Sequence, residues 1–215
     1  MENLVVITNP LSSMMTNCYT VYNTDSREAI IIDPASNARF LYNMLVNQRL
    51  KCVGIFLTHG HFDHIGGLEE LSELIGHNVP IYAAEEELEI LQDPRKNLSS
   101  MMSEQMITVK PDVLLQDGQK LDLLGTVMTC LLVPGHTKGG MAFYFEENGY
   151  LFSGDTLFAR SVGRSDFPTE DAETLITAIK EKLMVLPDEV TVYPGHNERT
   201  TIGREREMNP FLSAY

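Results

Sequence analysis

Short apolar runs, separated by polar turns and by segments of helical periodicity, organise this chain. VVIT, CYTVY and AIIID read as three successive strands near the start, with Asn23-Thr24-Asp25-Ser26 as a turn between the last two. Phe40, Leu41, Met44 and Leu45 fall on one face of a helix over 37–48. VGIFLT at 53–58 predicts a further strand, and Ile65, Leu68, Leu71 and Ile75 mark a helix closed by Gly76. PIYAA at 80–84 predicts a short strand leading into a Glu-rich helix near 85–92. The polar, Met-containing stretch 93–111 carries no assignable period. VMTCLLV, MAFYF and YLFSG are strands of the second half. A helix over 171–186 follows from Leu175, Ile176, Ile179 and Leu183, and EVTVY at 189–193 reads as the last strand. Strands and helices in alternation predict an α/β architecture.

With 215 residues, no linker-like tract and no short-period repeat, a single domain over 1–215 is the simplest account. Sixteen basic against thirty acidic residues give a formal charge of −14, which disfavours nucleic acid as a partner because phosphate contacts need a basic surface. The N-terminal apolar run Leu4–Ile7 is too short for a signal sequence, and no stretch approaches the ~18 apolar residues of a membrane span. The expectation is a cytoplasmic protein, without membrane association, that acts on a small molecule. Cys18, Cys52 and Cys130 each lie in a strand-like run and read as buried, inert thiols.

The histidines carry the candidate chemistry. Three of the six fall in THGHFDH, as His59, His61 and His64 with Asp63 among them. His136 follows TCLLVPG, His196 follows EVTVYPG, and a fourth such run, YLFSG, ends at Asp155. Four strand ends thus present imidazole or carboxylate groups, where a sheet holds ligands firmly while loops leave room for substrate. Gly60, Gly135, Gly154 and Gly195 suit sharp exits from those strands. Seven such groups exceed what one tetrahedral ion uses, whereas two ions sharing a carboxylate use them all. In His59-x-His61-x-Asp63 the two-residue steps put alternate side chains on one side of an extended segment, and His64 begins a helix. One ion on His59 and His61 and a second on Asp63 and His64 are therefore allowed. The N/O donors accept Zn, Fe or Mn. His77, in a post-helix loop, reads as structural. Met101, Met102 and Met106 read as core in preference to a lid over the cleft. Arg204-Glu205-Arg206-Glu207 reads as a solvated helix face. Arg160, Arg164 and Asp166 could line a pocket, support Asp155 or form a structural ion pair.

His-x-His-x-Asp-His followed by Gly-His, Gly-Asp and Gly-His resembles the signature of the metallo-β-lactamase superfamily, and Asp33 in IIDP is similar to that family's early strand-end aspartate. The resemblance implies a four-layer αβ/βα sandwich with two divalent ions at one edge, zinc foremost, with iron or manganese as alternatives. It implies one ion on His59, His61 and His136, the other on Asp63, His64 and His196, and Asp155 as the bridge. A bridging hydroxide then attacks the substrate carbonyl, with Asp63 orienting it. VPGHTKGGMAFY and SGDTLFARSVGRSDFP look like the glyoxalase II and persulfide dioxygenase branches. Thr200-Thr201-Ile202-Gly203 and Asn209-Pro210-Phe211 resemble the short bacterial glyoxalase II-like members, which lack the C-terminal helical domain that grips glutathione. The activity implied is hydrolysis of a thioester, S-lactoylglutathione or a related hydroxyacylglutathione. Two alternatives stand beside it: a mononuclear iron persulfide dioxygenase using His59, His136 and Asp155, and a non-catalytic metal-binding protein.

Overall fold

Ala29-Ile30-Ile31-Ile32 is apolar without a break, the pattern of a strand covered on both faces. The computed structural model, which describes residues 3–165 and 171–212, covers it on both sides. Ile30 and Ile32 enter a core between two sheets, while Ala29 and Ile31 enter a second core beneath helices.

The first sheet runs in chain order: β1 (Leu4–Leu11), β2 (Thr16–Asn23), β3 (Glu28–Ile32), β4 (Lys51–Phe56), β5 (Ile81–Ala84) and β6 (Val113–Leu115). β1 to β3 are antiparallel and β3 to β6 parallel. In the second half come β7 (Lys120–Leu123), β8 (Thr126–Leu132), β9 (Met141–Phe145) and β10 (Tyr150–Gly154). A two-stranded hairpin of β11 (Leu157–Phe158) and β12 (Ser161–Val162) follows, then β13 (Thr191–Pro194) and β14 (Thr200–Thr201). The second sheet has the order β14-β13-β10-β9-β8-β7. β13 lies parallel to β10, and β9 lies antiparallel to both β8 and β10, so β8, β10 and β13 all finish at the same edge.

The alternation of side chains builds the layers. Met141, Phe143, Phe145 and Phe152 face the first sheet, and Ala142, Tyr144 and Leu151 face outward. Helices α1 (Ala38–Asn47) and α3 (Leu68–Ile75) cover the first sheet through Leu41, Leu45, Leu68 and Leu71. On the second sheet lies α6 (Ala172–Ala178), which continues as a π turn over Ile179–Leu183 and packs Leu175, Ile179 and Leu183. The result is the expected four-layer sandwich.

Some elements differ from the expectation. The helix placed around Ile65 to Ile75 is broken at Gly66-Gly67, leaving a separate α2 (Phe62–Ile65). After α4 (Leu88–Gln92), the unassigned stretch 93–111 contains α5 (Ser99–Met102) and is organised around Asn97, which is fully buried. The Asn97 amide donates to Ile107 O at 2.8 Å, its Oδ1 accepts from Ser99 N at 2.9 Å, and its carbonyl accepts from Phe62 N at 2.9 Å. Met101, Met102 and Met106 are 69%, 52% and 78% exposed, which corrects their assignment to the core: the polar anchors leave their side chains outside. EVTVY is not the last strand, since β14 returns beside β13 before α7 (Ile202–Met208). Glu205 on α7 is buried, contrary to the solvated-face reading, because it accepts from Arg160 N, the Thr200 hydroxyl and the Asn209 amide.

Candidate metal centre

Two hydrogen-bonded seams join the sheets at the edge where the candidate strands end. Met141 N donates to Thr58 O at 2.8 Å. Asn17 N donates to Gly195 O at 2.7 Å, and the Asn17 amide donates to Pro194 O and Asn197 O at 3.0 and 2.9 Å. The seams hold the end of β4 against the start of β9, and the start of β2 against the end of β13. His59 and His61 follow β4, Asp63 and His64 lie on α2, and His136, Asp155 and His196 follow β8, β10 and β13. Helix α2 begins one residue before Asp63, so both Asp63 and His64 are helical, while His61 keeps the extended backbone.

All seven sequence-selected groups meet here. His59 Nε2 and His136 Nε2 each stand 3.1 Å from His61 Nδ1. His64 Nε2 is 3.6 Å from Asp63 Oδ2, and His196 Nε2 is 3.3 Å from the same oxygen. Asp155 reaches both groups: Oδ1 is 3.3 Å from His64 Nε2, and Oδ2 is 3.4 Å from His196 Nε2 and 3.8 Å from His136 Nε2. The donors form overlapping sets, His59–His61–His136, His59–His64–Asp155 and Asp63–His64–His196, each with its ligand atoms within 4.8 Å of one another. Ligands ~2.0–2.2 Å from a shared ion stand about this far apart. His64 Nε2 and Asp155 Oδ1 are buried without a hydrogen-bond partner, which suits a cation between them. Gly195 keeps the approach open, because a Cβ there would lie 2.1 Å from Asp155 Oδ1.

The nitrogens that face away from the cluster are held. His59 Nδ1 is 3.1 Å from the Thr58 hydroxyl, which donates to Asp33 Oδ2 at 2.6 Å. His64 Nδ1 is 2.9 Å from Asp33 Oδ2, His136 Nδ1 is 2.9 Å from Arg164 O, and His196 Nδ1 is 3.2 Å from Met14 O. Such partners fix the tautomer and the ring plane of a metal ligand. Arg164 therefore acts through its carbonyl, carried back to His136 by the β11–β12 hairpin. Arg160 gives its backbone N–H to Glu205, and its guanidinium is 3.8 Å from Glu198. Asp166 lies outside the described residues. His77 is exposed, 3.5 Å from the Ser72 hydroxyl.

Electrostatically the two halves differ. Burial, with the neighbouring imidazoles, lowers His59 and brings His61 down to about 3, so both are neutral and ready to ligate at pH 7. Burial opposes charge on His64 and His196 too, but Asp155 and Asp63 override it, raising His64 well above the usual histidine value and His196 to about 9. In the same way His64 and His196 outweigh the burial of Asp63 and Asp155, holding Asp63 at about 2 and Asp155 well below the carboxylate range. The thiols stay out of the centre: burial pushes Cys52 up to about 11 and Cys130 to about 12.

Sequence reasoning missed the supports: Thr16, whose hydroxyl donates to Asp63 Oδ2 at 2.7 Å, Asn17, Thr58 and Glu87. They are common residues whose partners lie far along the chain, so no local spacing marks them.

A buried His/Asp cluster at the strand ends of a four-layer α/β sandwich defines a metal-dependent hydrolase. The chain belongs to the metallo-beta-lactamase superfamily, whose family model matches residues 13–196. It is 37% identical over 197 residues to a probable metallo-hydrolase of Streptococcus pyogenes, covering 90% of this chain and 84% of that protein. It is 33% identical to the hydroxyacylglutathione hydrolase GloC of Haemophilus influenzae, covering 95% and 96%. Among solved structures it is similar to the B3 metallo-beta-lactamase BLEG-1 (TM-score 0.91, 37% identity, 98% and 100% covered). TTHA1623 in a di-iron-bound form matches with a TM-score of 0.84 at 33% identity, covering 96% and 100%. ETHE1 from Myxococcus xanthus matches with a TM-score of 0.76 at 26% identity, covering 96% and 83%.

Proposed function

We propose that this chain hydrolyses a thioester, S-lactoylglutathione or a related hydroxyacylglutathione, with two divalent ions, zinc foremost and iron or manganese as alternatives. The observation that carries the reading is the seven-donor cluster with Asp155 within reach of both halves. GloC supports the substrate class, and the di-iron neighbour supports a pair of ions. His59, His61 and His136 would hold one ion, Asp63, His64 and His196 the other, and Asp155 would be shared. Ions so placed supply a nucleophile at neutral pH and polarise a carbonyl oxygen.

The chain's own residues do the rest. Asp63, anchored by the Thr16 hydroxyl, presents a fixed carboxylate that can orient the attacking oxygen. Asp63 and Asp155 balance only part of the charge of two dications, so the centre is locally positive within a chain of charge −14 and attracts an anionic thioester. The proposed compartment is the cytoplasm, in keeping with three unpaired cysteines. No helix among the described residues is long and apolar enough to cross a membrane.

A second reading, a mononuclear iron persulfide dioxygenase on His59, His136 and Asp155, draws on the similarity to ETHE1. Metal content of untagged protein purified without chelator separates the two, followed by turnover of S-lactoylglutathione, a β-lactam and glutathione persulfide. Near two ions per chain with thioester turnover is the expected result. No thioester turnover by fully metallated protein overturns the assignment. One tightly held iron with persulfide-dependent oxygen consumption selects the second reading.

A further inference from the structure

Glu87 is a buried acid that the proposed reaction does not use. It ends the 3-10 turn Glu85–Glu87 after β5 and is 1% exposed. Its Oε1 accepts from Gly60 N and its Oε2 from Gly139 N, both at 2.8 Å. Gly60 separates His59 from His61, and Gly139 lies just beyond His136. The first loop leaves β4 of one sheet and the second leaves β8 of the other. One carboxylate therefore clasps the two loops that supply the three-imidazole group.

The packing at the clasp is tight enough to transmit position. A Cβ on Gly139 would lie 2.4 Å from the Glu87 nitrogen, and one on Gly60 would lie 3.0 Å from the Ile90 side chain. Both backbones come down onto the Glu87–Leu91 segment because they carry no side chain. Burial pushes the Glu87 carboxyl up to about 7, the Gly60 N–H, the Thr137 side chain and the Gly139 N–H opposing it, so keeping an acid here is unfavourable apart from what it holds. The other half of the centre is held without Glu87: Thr16 supports Asp63, the Met14 carbonyl supports His196, and Asp33, which also reaches His59 through Thr58, supports His64.

We propose that Glu87 is a positioning residue that sets His59 and His61 against His136, and so tunes metal affinity in that half of the centre and not in the Asp63–His64–His196 half. The proposal rests on the two-ion reading above.

Co2+ tests it, with affinity measured by competition against a chromophoric chelator and geometry by the absorption of the bound ion. His196→Ala leaves the three-imidazole half intact, and His136→Ala leaves the other. Glu87→Gln, which keeps the shape but turns an N–H toward one of the two donors, is expected to weaken Co2+ about 10–100-fold in the His196→Ala background and shift its absorption. In the His136→Ala background it is expected to leave both unchanged. Glu87→Asp, which keeps the charge but shortens its reach to the two N–H groups, is expected to behave alike, and decides the matter if Glu87→Gln does not fold. Leu183→Ala, in the far helical layer, should lower Tm without moving Co2+ affinity. Equal losses in both backgrounds, no loss in the first, or an equal effect of Leu183→Ala overturns the proposal. If the unmutated protein binds no Co2+, the metal-centre reading itself fails and the proposal falls with it.

Discussion

His196 faces the Met14 carbonyl with one ring nitrogen and the carboxylates of Asp63 and Asp155 with the other, and this division of each ring between support and cluster gives the centre its acid–base behaviour. His59 and His61 are held neutral, whereas His64 and His196 are held protonated by the carboxylates. An ion entering the second half must displace protons. Since His196 is raised to about 9 and His64 well above the usual histidine value, affinity there should rise with pH at least as far as about 9. Below that value it should fall by about tenfold per pH unit for each proton displaced. Calorimetric titration in two buffers of different ionisation enthalpy should show proton release on binding; equal heats in both would contradict this ordering of charge. Asp155→Ala removes a carboxylate that reaches imidazoles of both halves, so metal analysis should find both ions lost and turnover with them. Retention of both ions would remove Asp155 from a bridging place.

Helix α7 and the β11–β12 hairpin show how elements that carry none of the seven clustered residues hold their surroundings. Glu205 accepts from Arg160 N at 2.7 Å, the Thr200 hydroxyl at 2.6 Å and the Asn209 amide at 2.9 Å, joining hairpin, edge strand and terminal helix. Removing it strands buried donors, and Glu205→Ala should lower unfolding stability by about 1–3 kcal/mol in chemical denaturation. Because Arg164, not Arg160, touches a ligand, metal content should be retained in that variant. The run RERE marks α7 but hides the burial of Glu205, whose partners come from the hairpin, the edge strand and the end of its own helix. The strands were legible because their apolar alternation is local. The Asn97 hub in 93–111 was not, because a buried asparagine serving backbone groups looks like any loop residue in sequence.

At the scale of the whole molecule, ligands from both sheets converge on one cluster, so occupancy should couple to global stability. Ions bound to the native state stabilise it by mass action, about 4 kcal/mol at a free concentration a thousand times Kd. Chelation should therefore lower Tm and added Zn2+ restore it; a Tm indifferent to chelator would mean that the cluster binds nothing the fold depends on.

The sequence by itself determined most of the longer strands, the α/β class and the seven His and Asp residues that cluster. Apolar period and Gly-flanked strand ends are properties of neighbours along the chain, and the ordered motif from His59 to His196 carried the family resemblance. Only the tertiary structure decided which ring nitrogen meets which partner, that Arg164 contributes its carbonyl, and that Glu87 and Asn17 tie loops of opposite sheets. These depend on how two sheets stack and where their edges meet. A residue whose partner lies many positions away, in another layer, leaves no period or spacing to read.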